Sequence, residues 1–282
     1  MGSISDSYNR KIVYPVISLD ERYILFDLGR SPRDIWLLDT VRSVTRRFTT
    51  HQGHDTVGIW SRNGAEVYFT STRDGNRDVF LKHMASGKEA VKLVGTPNND
   101  DLSDESPDGG IVLYSTQDPE RKTDLWYAKR KKDGAGFEHV PFLQTSSSED
   151  GARFSPDGRW VAYWSDESGR DEVYVRRFPD ATGVRQISRH GGNQVRWSRD
   201  GGEILYVEGQ SLMSVPVSLD SDLSIGTPKV LFSNPNLFSR WRWPVYDVSA
   251  DGRRILLPEV MKPSGTKIHI IQNWIAGFRG RQ

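Results

Sequence analysis

A four-residue turn signature recurs six times along the chain, and its spacing constrains the fold more than any other feature. It reads Ser18-Leu19-Asp20-Glu21, Ser61-Arg62-Asn63-Gly64, Ser106-Pro107-Asp108-Gly109, Ser155-Pro156-Asp157-Gly158, Ser198-Arg199-Asp200-Gly201 and Ser249-Ala250-Asp251-Gly252. The starts are separated by 43, 45, 49, 43 and 51 residues. A repeat of that length with strand-like flanks predicts a β-propeller, in which each repeat forms one blade that buries its faces against its neighbours.

Each repeat has the same internal grammar. An aromatic or apolar residue precedes the serine, as in Gly58-Ile59-Trp60, Ala152-Arg153-Phe154 and Val195-Arg196-Trp197, and an apolar run follows the turn, as in Glu66-Val67-Tyr68-Phe69 and Trp160-Val161-Ala162-Tyr163. These are two strands joined by a hairpin. Gly accepts the positive φ the turn needs, and Asp bonds the backbone two residues on. An acidic residue then opens a third strand at Asp34-Ile35-Trp36, Asp78-Val79-Phe80, Asp124-Leu125-Trp126 and Glu172-Val173-Tyr174, and the carboxylates of Asp34, Asp78 and Asp124 are expected to bond loop backbone. Outer strands are predicted around Thr45–Thr49, Val91–Leu93, Val140–Leu143 and Arg185–Ser188. Four strands per repeat give an all-β fold: a six-bladed β-propeller of four-stranded antiparallel blades, filling residues 1–282 as a single domain.

Composition narrows the function classes. The net charge is +1 with no long run of one sign, which argues against a phosphate backbone as partner, so no nucleic acid is expected. No apolar stretch reaches membrane-spanning length, so no membrane segment is expected in this chain. With 0 cysteines there is no disulfide framework and no thiolate zinc site. The 9 tryptophans suit blades packed face to face, and Trp36, Trp60, Trp126, Trp160 and Trp197 are expected in the core between them.

The Ser-Pro-Asp-Gly turn followed by an Asp-Leu-Trp strand resembles the TolB-like six-bladed propellers. Longer strings add to this: Asp34–Thr40, Phe154–Trp160, Asp166–Pro179, Gly191–Trp197, Leu212–Val217, Tyr246–Arg253 and Ile270–Trp274. Together they resemble the C-terminal extracytoplasmic propeller of certain bacterial serine/threonine kinase-like membrane proteins. The resemblance implies a sensing or interaction domain with a periplasmic or extracytoplasmic location, and its motifs carry no activity. Glu21 stands where that pattern has Gly, and the segment before Ile12 is the candidate to supply the last blade's missing strand.

In a propeller, the loops leading into the innermost strands converge on the central channel. Aligned blade by blade, the candidate ligand-binding residues there are His54, Asp55, Asp101, Asp150, His190, Asn193, Arg196, Arg240, Trp241 and Arg242. One arc is acidic, and the opposite arc is basic and aromatic. Such a mouth suits a protein, peptide or cell-envelope ligand, since arginine offers planar contacts to carboxylates and tryptophan offers a stacking face. No cofactor is expected; the acidic arc offers oxygens to a calcium ion, but no loop has the spacing of a dedicated calcium site. The leading reading is a non-catalytic binding propeller. The alternative is a propeller lyase or hydrolase acting on a glycan at the same face, with His54 or His190 as base. No Gly-x-Ser-x-Gly elbow is present, and the repeated serines belong to turns, so no catalytic residue is assigned.

Overall fold

The predicted turns form in all six repeats of the computed structural model, and by one mechanism. The model describes residues 12–29, 32–85, 87–118, 122–132, 136–220, 222–235, 237, 245–260 and 266–272. In each turn the serine hydroxyl donates to the Asp or Asn side chain, at 2.6 Å for Ser18–Asp20, 2.5 Å for Ser106–Asp108 and 2.7 Å for Ser198–Asp200. The same hydroxyl accepts the N–H that opens the next strand, as from Ile111 at 3.0 Å and Trp160 at 3.0 Å. The hydroxyl bond holds the carboxyls of Asp20, Asp108, Asp200 and Asp251 below their ordinary range. Glu21 takes the place of Gly with its backbone in the left-handed region, at φ 57°, and still donates to Ser18 O at 2.9 Å.

The strands group into six antiparallel sheets in chain order. The first holds β1 (Ile12–Ile17), β2 (Tyr23–Leu28), β3 (Asp34–Asp39) and β4 (Val44–Arg47). The second holds β5 (Asp55–Trp60), β6 (Glu66–Asp74), β7 (Asn76–His83) and β8 (Val91–Val94). The third holds β9 (Asn99–Glu105), β10 (Ile111–Gln117), β11 (Thr123–Arg130) and β12 (Phe137–Leu143). The fourth holds β13 (Glu149–Phe154), β14 (Trp160–Ser165), β15 (Glu172–Arg177) and β16 (Arg185–Gln186). The fifth has β17 (Asn193–Trp197), β18 (Glu203–Glu208), β19 (Ser211–Ser218) and β20 (Ser224–Ile225), with β21 (Lys229–Ser233) also paired to β19. The last has β22 (Asp247–Val248), β23 (Arg254–Val260) and β24 (Thr266–Gln272).

Five sheets therefore reach the four strands of a complete blade, where six such blades are expected from the repeat count. The sixth repeat forms a three-stranded sheet, because no further strand follows β24 among the described residues. The segment before Ile12, expected to complete it, lies outside the described residues.

The core lies between sheets. Trp160 and Val173 of the fourth pack with Val195, Ile204 and Tyr206 of the fifth, and Leu25 and Ile35 of the first pack with Trp60 and Phe69 of the second. Trp160 is buried; Trp197 is partly buried against the same cluster as Trp160, and Trp126 and Trp36 are partly buried against two further clusters. First and last repeats also meet. Leu256 packs with Ile12, Ile24 and Phe26, and Ile17 N–H donates to Asp247 at 2.7 Å. Glu21 accepts the Ala250 N–H at 2.9 Å and pairs with Arg254, so the residue that departs from the turn pattern ties the two ends of the array together. Two of the third-strand carboxylates bind outer-strand side chains instead of the expected loop backbone, Arg47 reaching Asp34 at 2.7 Å and Lys92 reaching Asp78 at 2.6 Å, whereas Glu172 does accept a loop N–H, from Gly191 at 3.0 Å.

Candidate functional site

Each of the first five innermost strands carries a β-bulge, and the bulges shape the channel. In β1, Val13 faces Asp27 and Val16 faces Leu25, so Tyr14 and Pro15 stand opposite one residue. Matching register shifts occur between Thr56 and Ile59, Asp150 and Arg153, and Asn193 and Arg196, and in β9 between the partners of Leu113 and Tyr114. Four bulges place the residue four before the motif serine at positive φ: Tyr14 at 52°, Val57 at 55°, Gly151 at 64° and Gln194 at 56°. Only one of these is glycine, and a β-branched Val57 there is strained. A bulge leaves backbone groups without a ladder partner, and neighbouring sheets supply it. Asp27 accepts the Val57 N–H at 3.1 Å and the Thr56 hydroxyl, Thr70 Oγ1 accepts the Leu102 N–H at 3.0 Å, and Gln194 Oε1 accepts the Val245 N–H at 3.0 Å.

Each of the six repeats contributes two residues, one from the end of its innermost strand and one from the turn that follows, to a cavity of about 370 Å³ bounded by the six turns. An inner ring comes from two residues before each serine: Val16, Ile59, Asp104, Arg153, Arg196 and Asp247. An outer ring comes from the residue after each serine: Leu19, Arg62, Pro107, Pro156, Arg199 and Ala250. The first two repeats give the inner ring an apolar sector, and the other four a charged one. Trp60, Phe154 and Trp197 add aromatic wall.

The charged sector is a partly paired network. Arg196 Nη1 lies 3.2 Å from Asp247 Oδ1, its Nε donates to Tyr246 O at 3.0 Å, and its guanidinium stands over the Tyr246 ring. Asp104 accepts the Phe154 N–H at 3.0 Å and lies 3.5 Å from Arg62 Nη2. Arg153 is 6% exposed; its Nη1 donates to Ser103 O and stands 3.9 Å from Asp104, beyond hydrogen-bond reach. Its buried Nε–H has no partner. Burial, reinforced by the charge of Arg196, pushes the Arg153 guanidinium down to about 10.

The residues predicted from the loops are distributed differently. Asp55, Asp101, Asp150 and Asn193 stand at the opposite end of the innermost strands and are buried. Asp55 is held by Arg73 at 3.1 Å, Asp101 by a two-pronged contact from Arg77 at 2.9 Å and 2.9 Å, and Asp150 accepts from Ser115 at 2.8 Å. Two carboxylates of the acidic arc, Asp55 and Asp101, are thus matched by arginines from β6 and β7. His54 Nδ1 accepts the Arg33 N–H at 3.2 Å, and His190 is exposed. Arg196 belongs to the turn-side cavity instead. Arg240, Trp241 and Arg242 lie outside the described residues. Among the described residues, no group of three or more His, Asp or Glu side chains is placed to hold a metal ion. Two other buried carboxyls are conspicuous: desolvation pushes Asp27 and Glu149 up to about 7 each, and Asp27 Oδ1 and Glu149 Oε2 have no hydrogen-bond partner.

The loop-based reasoning missed Asp104, Arg153 and Asp247. The signal was present in the alignment on the six serines, two columns before and one column after them, since those columns vary in charge while the turn does not.

No family model matches the chain. Two strains of Helicobacter pylori, J99 and 26695, have a Tol-Pal system protein TolB that is 22% identical over 162 residues, which is 57% of this chain and 38% of the relative. The chain therefore covers under two-fifths of those curated relatives. Among solved structures, a putative TolB from Agrobacterium tumefaciens superposes with TM-score 0.68 at 18% identity, covering 93% of this chain and 90% of that one. TolB from Acinetobacter baumannii gives 0.69 at 15% identity, covering 93% and 61%. An oligogalacturonate lyase in complex with manganese gives 0.62 at 14% identity, covering 96% of both chains. By sequence likeness and by superposition, the chain has the TolB-like β-propeller fold.

Proposed function

We propose that this chain is a non-catalytic binding propeller that receives a protein or peptide partner on its turn face, over the central cavity. The observation that carries the reading is the pair of six-membered side-chain rings around that cavity, apolar in one sector and charged in the other. The ring positions differ in chemistry from repeat to repeat while the turns repeat one design, and an open concavity with an apolar wall and a few convergent polar groups is what recognition uses. Likeness to proteins named for the Tol-Pal system supports an envelope partner and an extracytoplasmic setting. The loop-side residues His54, Asp55, Asp101, Asp150, His190 and Asn193 belong to the proposal as a second candidate face at the opposite end of the innermost strands, where Asp55, Asp101, Asp150 and Asn193 are buried and His190 is exposed.

A photo-crosslinking amino acid placed in turn at Leu19, at Arg199 and at Val44 tests the reading. Leu19 and Arg199 are exposed on the turn face, and Val44 is exposed on an outer strand. Exposed to a bacterial envelope extract, the first two positions should give one common adduct that excess unlabelled chain competes away, and Val44 should not. Adducts at all three positions, or at none, refute it. The glycan-enzyme alternative predicts unsaturated or reducing-end product from oligogalacturonate, and turnover by the unmodified chain would establish it in place of the binding reading.

A further inference from the structure

We propose that the turn-side cavity is a carboxylate receptor, in which Arg153 and Arg196 take the acidic group of a partner peptide while Val16 and Ile59 receive the apolar residue beside it. The inference rests on the reading of this face as the docking surface and names the chemistry recognised there.

The cavity lining carries four arginines, Arg62, Arg153, Arg196 and Arg199, against two aspartates, Asp104 and Asp247. The aspartates are largely committed. Asp104 spends one oxygen on the Phe154 N–H, and its other lies 3.5 Å from Arg62. Asp247 divides its oxygens between the Ile17 N–H at 2.7 Å and Arg196 at 3.2 Å. Arg153 is left with a carbonyl contact, an aspartate at 3.9 Å and a buried Nε–H without a partner. A desolvated guanidinium beside a second one is short of a negative charge, and a carboxylate is the group that matches its planar fork. The depressed proton affinity of Arg153 has the same origin, and an arriving anion would reverse it.

The opposite sector accounts for the rest of the ligand. Val16 and Ile59 occupy the ring positions that the arginines occupy across the cavity, and Trp60 and Leu19 line the same sector. A bare anion uses none of that surface. A peptide does, with an acidic group on one side of the lumen and an aliphatic neighbour on the other.

The test uses the whole chain and four probes: acetyl-Ala-Val-Glu-Val-amide, acetyl-Ala-Val-Ala-Val with a free C-terminal carboxylate, the neutral acetyl-Ala-Val-Gln-Val-amide, and inorganic phosphate. Calorimetry gives affinity, and the Nε–H resonance of Arg153 in nitrogen-15 spectra reports where the anion sits without any substitution. Binding of one carboxylate peptide about ten-fold or more tighter than the neutral twin, with the Arg153 resonance shifted at saturation, is the expected result. Which of the two peptides binds tells a side-chain carboxylate from a C-terminal one. Arg153→Gln should abolish the discrimination, and Arg196→Gln, which leaves the buried residue in place, should weaken it. Equal binding of the neutral twin, no binding of either acid, or phosphate binding as tightly as the peptides overturns the inference. If the Leu19 and Arg199 adducts persist in such a case, the carboxylate inference alone has failed; if those adducts are also missing, the docking reading has failed first.

Discussion

Replacing Asp27 with asparagine should change how the stability of this protein depends on pH. Asp27 is fully buried on β2 and is raised from 3.8 to about 7, first by desolvation and further by Asp55; the Thr56 hydroxyl, the Val57 N–H and Arg33 oppose the rise. A carboxyl whose folded value exceeds its unfolded value holds its proton in the fold while the unfolded chain releases it. Stability from this group is therefore greatest below about pH 4 and falls as pH rises to about 7, above which it is flat. Three pK units correspond to about 4 kcal/mol lost across that window. Glu149, raised from 4.5 to about 7, slopes the same way. The turn aspartates, held below 3.8, contribute their full stabilisation throughout this window and lose it only in more acid solution, as pH falls through their folded values. Asparagine keeps an oxygen for the Thr56 hydroxyl and the Val57 N–H and cannot ionise. Urea unfolding followed by tryptophan fluorescence between pH 4 and pH 8 should show Asp27→Asn close to the parent at the acid end. At the alkaline end it should be more stable by up to about 4 kcal/mol. A parent without this slope, or a variant weakened equally at every pH, refutes the argument.

Three further outcomes follow from the fold. Glu21→Gly relieves the positive φ but removes the acceptor of the Ala250 N–H and the partner of Arg254, and should cost about 1 kcal/mol net in urea melts, whereas Glu21→Gln should keep the backbone contact and lose less. Trp160→Ala empties the contact between the fourth and fifth sheets and should cost about 3–5 kcal/mol by the same measurement. Ser106→Ala leaves the Ile111 N–H without its hydroxyl acceptor, so calorimetric melting should report a loss of about 1–2 kcal/mol; unchanged peptide affinity would show that the serine acts in the turn and not in recognition.

Turns, strands and sheet order were legible in the sequence because each is specified locally: a hydroxyl, a carboxylate and a glycine within four residues close the hairpin, and the hairpins follow one another in order. The end of the array was not, because closure depends on partners 229 and 230 residues apart, Glu21 with Ala250 and Ile17 with Asp247. Both outer strands of the fifth sheet, Ser224–Ile225 and Lys229–Ser233, were missed; the second pairs with β19 only after the chain has passed through the first. The candidate site was half legible. Loop charge pointed to the opposite end of the innermost strands, with only Arg196 lining the turn-side cavity, and could not say that Arg73 and Arg77 reach back to neutralise Asp55 and Asp101. Asp104, Arg153 and Asp247 read as ordinary strand sequence unless the repeats are aligned on their serines, because simple alternation gives no reason for these side chains to line the lumen; Arg196 alone stood out beforehand.

The bulges separate two kinds of information in the chain. What keeps a blade standing is written in the serine, the aspartate and the apolar runs; what the rim of the cavity offers is written in single codons two before and one after each serine. One base change can turn a sector of the rim from apolar to acidic or basic while leaving every hairpin as it was. A lineage carrying this array can therefore exchange one partner for another by small steps, each tested on a scaffold that is already folded.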